Sequence, residues 1–309
     1  MELSAKGLRV IVTAGGAGIG HAIAQTFRDA GARVHTCDVD PKTRPDTITD
    51  VANVAHVDRL FDEAIRNLGG LDVLVNNAGI AGPTAKVEDV DPADWERCIA
   101  VDLSGMFYCT RKAMPHIKRA GGGSIVNLSS AAGRHGFPQR SPYAAAKWGV
   151  VGFTKSLAVE AGPDKVRVNA ILPGIVEGER IERVIAAKAK ATGLSYEEFQ
   201  RRFLETTSMH STVSAQDIAN HGTDAGYPEI TYTKDCVALF DKFGDEIWEM
   251  AVQDAEGMGH KNVMEMIATF KRSDLLDTLD GFKNLMVWYA CESVAHDYQD
   301  MVADAQPTS

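Results

Sequence analysis

Short apolar runs alternate with longer amphipathic segments along the first two thirds of the chain. Five runs rich in Val, Ile and Leu have the length of buried strands, and they lie at residues 8–12, 33–37, 71–76, 124–128 and 166–171. Apolar positions at helical spacing occupy 19–30, 55–68, 93–119, 142–161 and 178–209. Strands that alternate with helical segments are typical of βαβ units. The pattern therefore predicts an α/β fold with a doubly wound parallel sheet.

The connection after the second predicted strand is unusually short. Only 12 positions separate Asp38 from Asp50. A crossover helix followed by a parallel strand needs more residues than this. We therefore expect an abbreviated sheet at this point.

The pattern of the chain changes near residue 221. Residues 222–309 hold 17 acidic but only 6 basic residues, and they contain 10 of the 22 aromatic residues. The segment HGTDAGYPE at 221–229 is the predicted linker between two modules, because its glycine and proline residues interrupt regular structure. We therefore predict two domains, 1–221 and 222–309. Amphipathic segments at 233–256, 262–270 and 273–303 predict a small all-α module, whose acidic side chains either form a solvated face or bind a basic partner.

Composition narrows the classes of function. A net charge of −10 gives no general attraction to nucleic acid or to anionic membranes. The sequence also holds no apolar run of membrane-spanning length and no basic segment followed by an apolar one near residue 1. We therefore expect a cytoplasmic protein that acts on small molecules. Its five cysteines are widely spaced without a CxxC pair, which predicts reduced, buried thiols and no metal site.

A glycine-rich turn follows the first predicted strand and begins the first predicted helix. In VTAGGAGIG, at 12–20, the glycines would let the backbone approach a pyrophosphate, and the helix N-terminus would offer N–H groups to its charge. A tight strand-to-helix connection without a ligand is the alternative. Asp38 favours the ligand, because it ends the second strand 18 residues after Gly20, where a carboxylate accepts hydrogen bonds from ribose hydroxyls. Since the same carboxylate repels a 2′-phosphate, NAD is favoured over NADP.

A tyrosine and a lysine are spaced for proton transfer. Tyr143 and Lys147 are four residues apart, which places them on one face of a helix. The ammonium group would favour the phenolate form that acid–base chemistry needs at neutral pH. Ser130 follows the fourth predicted strand and could donate a hydrogen bond to a substrate oxygen. Taken alone, a Tyr–Lys pair at this spacing is more often a surface pair.

The motifs become specific in combination. The glycine turn, NNAG at 76–79, the serine pair at 129–130 and YAAAK at 143–147 follow one another in an order that closely resembles the short-chain dehydrogenase/reductase family. The resemblance extends over about residues 3–220. It implies a Rossmann-type sheet with strand order 3-2-1-4-5-6-7 and an NAD(P)-dependent interconversion of a secondary alcohol and a carbonyl.

The resemblance also implies roles for single residues. It makes Tyr143 the general acid–base, Ser130 the residue that orients the carbonyl, and Lys147 the residue that assists the phenol and holds the nicotinamide ribose. The other implied cofactor contacts lie in the glycine turn and at the ends of four strands: Thr13, Gly15, Gly18, Ile19, Gly20, Asp38, Asp50, Val51, Asn77, Ala78, Gly79, Pro173, Gly174 and Val176.

Several positions depart from the family pattern. Ala14 and Gly178 replace residues that are usually glycine and threonine, and Asp102 replaces an asparagine that supports a proton path to the lysine. We expect Asp102 to belong to the catalytic group through Lys147. The segment 178–205 is either a substrate-covering region or a solvated helix pair, and three residues before Tyr143 could touch substrate: His135, Phe137 and Gln139.

The family's last strand finds no counterpart in the sequence after residue 220. Its loss would expose a sheet edge and remove packing that builds subunit contacts in the family. Formation of a homo-oligomer therefore stays open. A second function also stays open, in which a catalytically impaired Rossmann scaffold carries a helical interaction module.

Overall fold

A parallel sheet with helices on both faces organises the part of the chain that the computed structural model describes, residues 5–207 and 210–226. Within those residues the sheet has six strands in the order 3-2-1-4-5-6. Their bounds are β1 Arg9–Thr13, β2 Arg33–Asp38, β3 Thr47–Ile48, β4 Val73–Asn76, β5 Gly123–Leu128 and β6 Val166–Ile171. The strand order reverses between β1 and β4, and ligands of such sheets bind at that switch point. The predicted doubly wound α/β fold is confirmed.

Eight α-helices accompany the strands in the described part of the chain. Their bounds are α1 Gly18–Asp29, α2 Val54–Leu68, α3 Pro92–Ile99, α4 Gly105–Arg119, α5 Ser141–Ala161, α6 Glu179–Thr192, α7 Tyr196–Glu205 and α8 Ala215–Gly226. Two predicted helical segments each form two helices. A π-helical turn, Ala100–Ser104, joins α3 to α4. Gly193, at φ 72°, ends α6 in the left-handed conformation that glycine favours.

Two apolar layers enclose the sheet because neighbouring strand residues face opposite sides. Ile11 and Leu74 pack with α2, α4 and α5, whereas Val10 and Val73 pack beneath α1 and α8. Phe27 of α1 is wholly buried in the second layer. Near-continuous apolar strands of this kind are expected where both faces of a parallel sheet are covered.

The short connection after β2 confirms the predicted abbreviation of the sheet. A single 3₁₀ turn, Pro41–Thr43, and the two-residue β3 stand in place of a crossover helix. Asp46 holds this loop against β2, because its Oδ2 atom accepts hydrogen bonds from the Thr36 backbone N–H at 2.7 Å and from the Thr36 hydroxyl at 2.8 Å.

Helix α8 corrects the linker prediction in part. It continues through Gly222 to Gly226, so the first residues of the predicted linker at 221–229 are helical. An isolated glycine costs a helix only about 1 kcal/mol, which tertiary packing overrides, and Ile218 and Ala219 of α8 lie in the apolar layer beneath α1. The chain divides into compact units at Met1–Ile230 and Thr231–Ser309. Three predicted helices lie outside the described residues, at 233–256, 262–270 and 273–303. The predicted loss of the family's last strand also falls on this part of the chain, because the structure describes no residue after 226.

Three of the cysteines are as expected. Cys37, Cys98 and Cys109 are buried free thiols. Cys236 and Cys291 lie outside the described residues. Within the described ranges, no helix combines the length and the apolar character needed to cross a membrane.

Candidate active site

The glycine-rich turn between β1 and α1 has the features of an anion site. The N-cap of α1, Ala17, makes no side-chain capping hydrogen bond, and the first turn of the helix carries no acidic residue. Backbone N–H groups at such a helix start are available to a negative ligand. A Cβ atom on Gly20 would lie 2.1 Å from the Ala14 carbonyl oxygen, so this close approach requires glycine. Gly18, at φ 54°, adopts the left-handed conformation.

Thr13 and Asn77 connect this turn to the end of β4. The Thr13 hydroxyl accepts hydrogen bonds from the backbone N–H groups of Asn77 at 2.9 Å and Ala78 at 3.0 Å. The Asn77 amide in turn donates to the carbonyls of Thr13 and Ala14, both at 3.1 Å. These bonds fix the turn relative to the NNAG segment. Both side chains are therefore positioning groups for the turn.

Asp38 lies at the end of β2 beside the glycine turn. Its Oδ2 atom accepts a hydrogen bond from the Gly16 backbone N–H at 3.2 Å, and its Oδ1 atom accepts one from the Asp40 N–H at 3.1 Å. A Cβ atom on Gly16 would lie 2.9 Å from the same Oδ2 atom. The structure thus brings a carboxylate next to the turn, as the sequence predicts.

Asp50 and Val51 lie between β3 and α2 and are held by neighbouring side chains. The carboxylate of Asp50 accepts hydrogen bonds from the Ala52 N–H at 3.0 Å and from the Arg97 guanidinium at 3.1 Å. Val51 is buried against Gly105, where an added Cβ atom would lie 2.7 Å from the valine side chain. A contact of these two residues with adenine stays a prediction.

Lys147 joins α5 to the end of β5. Its buried ammonium donates to the Leu128 carbonyl at 2.9 Å, and the Ser129 hydroxyl donates to the Lys147 carbonyl at 2.8 Å. Ser130 follows directly, and its hydroxyl oxygen accepts a hydrogen bond from the Ala132 N–H at 3.2 Å. The Nζ atom of Lys147 lies 5.6 Å from the ring centre of Tyr143. The predicted tyrosine and lysine therefore share one helix face beside the strand end that carries Ser130.

Asp102 lies in the π-helical turn and is fully buried. Its Oδ1 atom accepts a hydrogen bond from the Ile80 N–H at 2.6 Å, and its Oδ2 atom lies 3.9 Å from the Lys147 Nζ atom. Oδ2 has no hydrogen-bond partner among the described residues. Burial raises the pKa of Asp102 above its ordinary value, against the opposing effect of Lys147. Single π-helical turns often mark functional positions, and this one brings a carboxylate to the lysine.

The other predicted cofactor residues lie around this lysine and at the end of β6. A Cβ atom on Gly79 would lie 3.3 Å from the Lys147 Nζ atom. After β6, the Pro173 carbonyl accepts the Ala131 N–H at 2.9 Å, and Val176 forms a parallel bridge with Val213. Gly174 between them is exposed and has open space beside it.

Three cationic side chains that lie near Tyr143 or near Phe137 are not identified by the sequence motifs. The guanidinium carbons of Arg140 and Arg180 lie 5.0 and 5.9 Å from the Tyr143 ring centre. The Lys188 Nζ atom lies 3.9 Å from the ring centre of Phe137, one of the predicted substrate contacts. Arg140 precedes Tyr143 by less than one helical turn, and the other two cations lie on α6 within the predicted covering region. The position of Arg140 three residues before Tyr143 is the signal in the sequence that could have identified it.

The remaining predicted substrate contacts are less informative. The Gln139 carbonyl accepts the Ala85 N–H at 3.0 Å, and the residue has φ 63°. Burial lowers the pKa of His135. Among the described residues, no group of three His, Cys, Asp or Glu side chains is placed to hold a metal ion.

Two segments of this chain match known protein families. Residues 9–189 match the short chain dehydrogenase family, and residues 191–304 match a family described as a domain of unknown function. A probable galactose dehydrogenase of Rhizobium meliloti is 38% identical over 210 residues, which cover 63% of this chain and 82% of the relative. A D-beta-hydroxybutyrate dehydrogenase of the same organism is 34% identical over 204 residues, which cover 61% of this chain and 79% of the relative.

Solved structures agree with the sequence matches. The crystal structure of levodione reductase superposes with a TM-score of 0.68 at 28% identity, covering 74% of this chain and 93% of that chain. The fold and the family predicted from the motifs are therefore confirmed for the first part of the chain.

Proposed function

The chain belongs to the short-chain dehydrogenase family, and we propose that it interconverts a secondary alcohol and a carbonyl compound, with NAD supplying the hydride acceptor or donor. The observation that carries the proposal is the pairing of Tyr143 with Lys147 on α5. The lysine is buried and directed at the end of β5, and its Nζ atom lies 5.6 Å from the phenol ring centre.

The residues present fit a dinucleotide. The glycine cradle at Gly20 and the uncapped start of α1 suit a pyrophosphate. Asp38 beside the turn suits the adenosine ribose and disfavours a 2′-phosphate, which supports NAD over NADP. Lys147 and the NNAG segment would hold the nicotinamide ribose.

In alcohol oxidation, Tyr143 takes the proton of the substrate hydroxyl at its phenolate oxygen. The ammonium of Lys147 stabilises that phenolate by its charge. The Ser130 hydroxyl orients the substrate oxygen by a hydrogen bond. Asp102 acts as a positioning residue, because its carboxylate lies against the ammonium rather than the phenol. In carbonyl reduction, Tyr143 returns the proton.

The names of the relatives support a hydroxyl-bearing substrate. One relative is named for a sugar and another for a hydroxy acid. The alternative of an impaired scaffold has no support from these comparisons, in which residues 9–189 match the dehydrogenase family.

Replacement of Tyr143 by phenylalanine tests the proposal. We expect turnover to fall by about 10² to 10⁴, the usual contribution of acid–base catalysis, while NADH affinity is retained. The assay follows nicotinamide absorbance over a panel of alcohols and ketones, and calorimetric titration measures NADH affinity. Tyr108→Phe removes a hydroxyl from α4 and serves as the control. Retained turnover in Tyr143→Phe, or a protein that binds no NADH, would overturn the proposal.

A further inference from the structure

Positive charge surrounds the catalytic tyrosine on several sides. The guanidinium carbon of Arg140 lies 5.0 Å from the ring centre, the Lys147 Nζ atom 5.6 Å and the guanidinium carbon of Arg180 5.9 Å. Arg180 also donates a hydrogen bond to the Gly79 carbonyl at 3.2 Å, which brings the N-terminal turn of α6 over the NNAG segment. The reaction site is therefore markedly cationic.

Little negative charge balances this group. The charge of the Asp102 carboxylate acts on Arg140, and its Oδ2 atom lies 3.9 Å from Lys147. Burial lowers the pKa of Arg140. Burial, together with the charge of Arg140, lowers the pKa of Lys188 to about 8. Both cations are thus held in a low-dielectric region, and neither forms a salt bridge with a described residue.

Arg140 also has donors without acceptors. It is only 2% exposed, and one of its terminal nitrogens, Nη2, donates to the Ala81 carbonyl. Its Nε and Nη1 atoms have no hydrogen-bond partner among the described residues. Buried guanidinium donors are normally satisfied, so these two donors call for an acceptor that the described residues do not supply.

An apolar ring lines the same region. Phe137 lies 5.6 Å from the Arg140 guanidinium and 3.9 Å from the Lys188 ammonium, measured to its ring centre. Phe203 of α7 stacks on it at 6.4 Å between ring centres. The Lys188 ammonium donates to the Pro138 carbonyl at 3.1 Å, which fixes it beside the ring. Apolar rings bordered by cations suit a small carbon skeleton that ends in a single negative charge.

We propose that the substrate of this site carries a carboxylate, which Arg140 binds with help from Arg180 and Lys188. The inference rests on the proposed function and names its substrate class, a short hydroxy acid and the corresponding oxo acid. In oxidation, the carbinol C–H bond breaks with transfer of hydride to NAD⁺, the O–H proton passes to Tyr143, and the C=O bond forms. The carboxylate stays unchanged, and its place beside Arg140 keeps the hydroxyl within a few carbon atoms of it.

Paired substrates test this inference on the full-length protein. Short-chain hydroxy acids with the secondary hydroxyl at successive carbons are each compared with their methyl esters, which lack the charge. We expect kcat/KM to favour the acid by about 30-fold or more, and Arg140→Met to reduce that acid-to-ester ratio to near one. Arg180→Met, which changes an exposed side chain, should lower the ratio by a smaller factor. Arg59→Met removes an exposed arginine of α2 and should leave the ratio unchanged.

A binding measurement separates this inference from the proposed function. The deoxy acid, which has the carboxylate but no hydroxyl, is titrated calorimetrically into the protein with NADH present. Binding that weakens at least about tenfold in Arg140→Met and is retained in Arg59→Met supports the carboxylate site, whether or not turnover is found. Turnover of esters and acids at equal rates leaves the proposed function standing and overturns the inference. A phosphate monoester preferred over the carboxylate would also overturn it.

Discussion

Replacing Asp102 with asparagine should move the pH dependence of alcohol oxidation. The buried carboxylate opposes the field that Lys147 exerts on the Tyr143 phenol. Its Oδ2 atom is 3.9 Å from the ammonium, which is 5.6 Å from the phenol ring centre, so the carboxylate is at most about 9.5 Å from the ring. At an effective dielectric constant of about 20, a charge at that distance disfavours the phenolate by about 1 to 2 kcal/mol.

The assay is kcat/KM for alcohol oxidation as a function of pH. Because the phenolate is the active form, removal of the carboxylate should raise kcat/KM for alcohol oxidation on the acid limb of the profile by about tenfold. Asp58→Asn removes one negative charge from an exposed pair with Lys112 and should leave the limb in place. An unchanged or lower kcat/KM on that limb in Asp102→Asn would refute this electrostatic account.

The same variant should alter the pH dependence of stability. Burial raises the pKa of Asp102 in the folded state. The protonated side chain therefore contributes stability at pH values below its unfolded-state pKa, and this contribution is lost as pH rises through the folded-state pKa. Asp102→Asn cannot ionise and should therefore gain stability relative to the wild type across that window. Chemical denaturation at a series of pH values measures the difference.

Three further predictions follow from single contacts. Asp38→Ala should lower the preference for NAD over NADP by about tenfold, since it removes a charged acceptor beside the turn; an unchanged ratio of affinities in cofactor titrations would contradict this. Ala14→Gly should raise the unfolding free energy by about 1 kcal/mol, because Ala14 has φ 47°, and a loss of stability on denaturation would argue against strain there. Asp72→Asn should cost about 1 to 2 kcal/mol at neutral pH. Burial acts to raise the pKa of Asp72, but the hydrogen bonds from Arg9 hold that pKa below its ordinary value. The stability that the ionised Asp72 contributes should therefore be lost as pH falls through its folded-state pKa. If denaturation experiments show the same cost of Asp72→Asn from neutral to acid pH, that result would contradict the linkage.

Much of the sheet and the proton-transfer pair could be predicted because their signals are local. The strands are continuous apolar runs, and the spacing of Tyr143 and Lys147 fixes a common helix face. The family pattern also placed Asp102 near the lysine, and the structure shows the 3.9 Å approach. Its raised pKa depends on burial by several elements, which no motif encodes.

The arginines near Tyr143 and the lysine beside Phe137 could not be predicted in the same way. Arg140 donates a hydrogen bond to Ala81, which is 59 residues away in sequence. Its neighbouring cations, Arg180 and Lys188, lie on α6. Contacts between elements that are distant in sequence carry no periodic signal. The helical continuation through Gly222 was missed for a related reason, because glycine marks a turn locally while the packing of α8 against α1 decides the outcome.

The geometry of a ternary complex tests the central claim most directly. A crystal structure of the full chain with NAD⁺ and a short deoxy acid should show the nicotinamide ring beside Tyr143, Lys147 and Ser130, the pyrophosphate at the start of α1, and the carboxylate on Arg140. A nicotinamide bound away from the phenol, or a pyrophosphate held elsewhere on the sheet, would contradict the account.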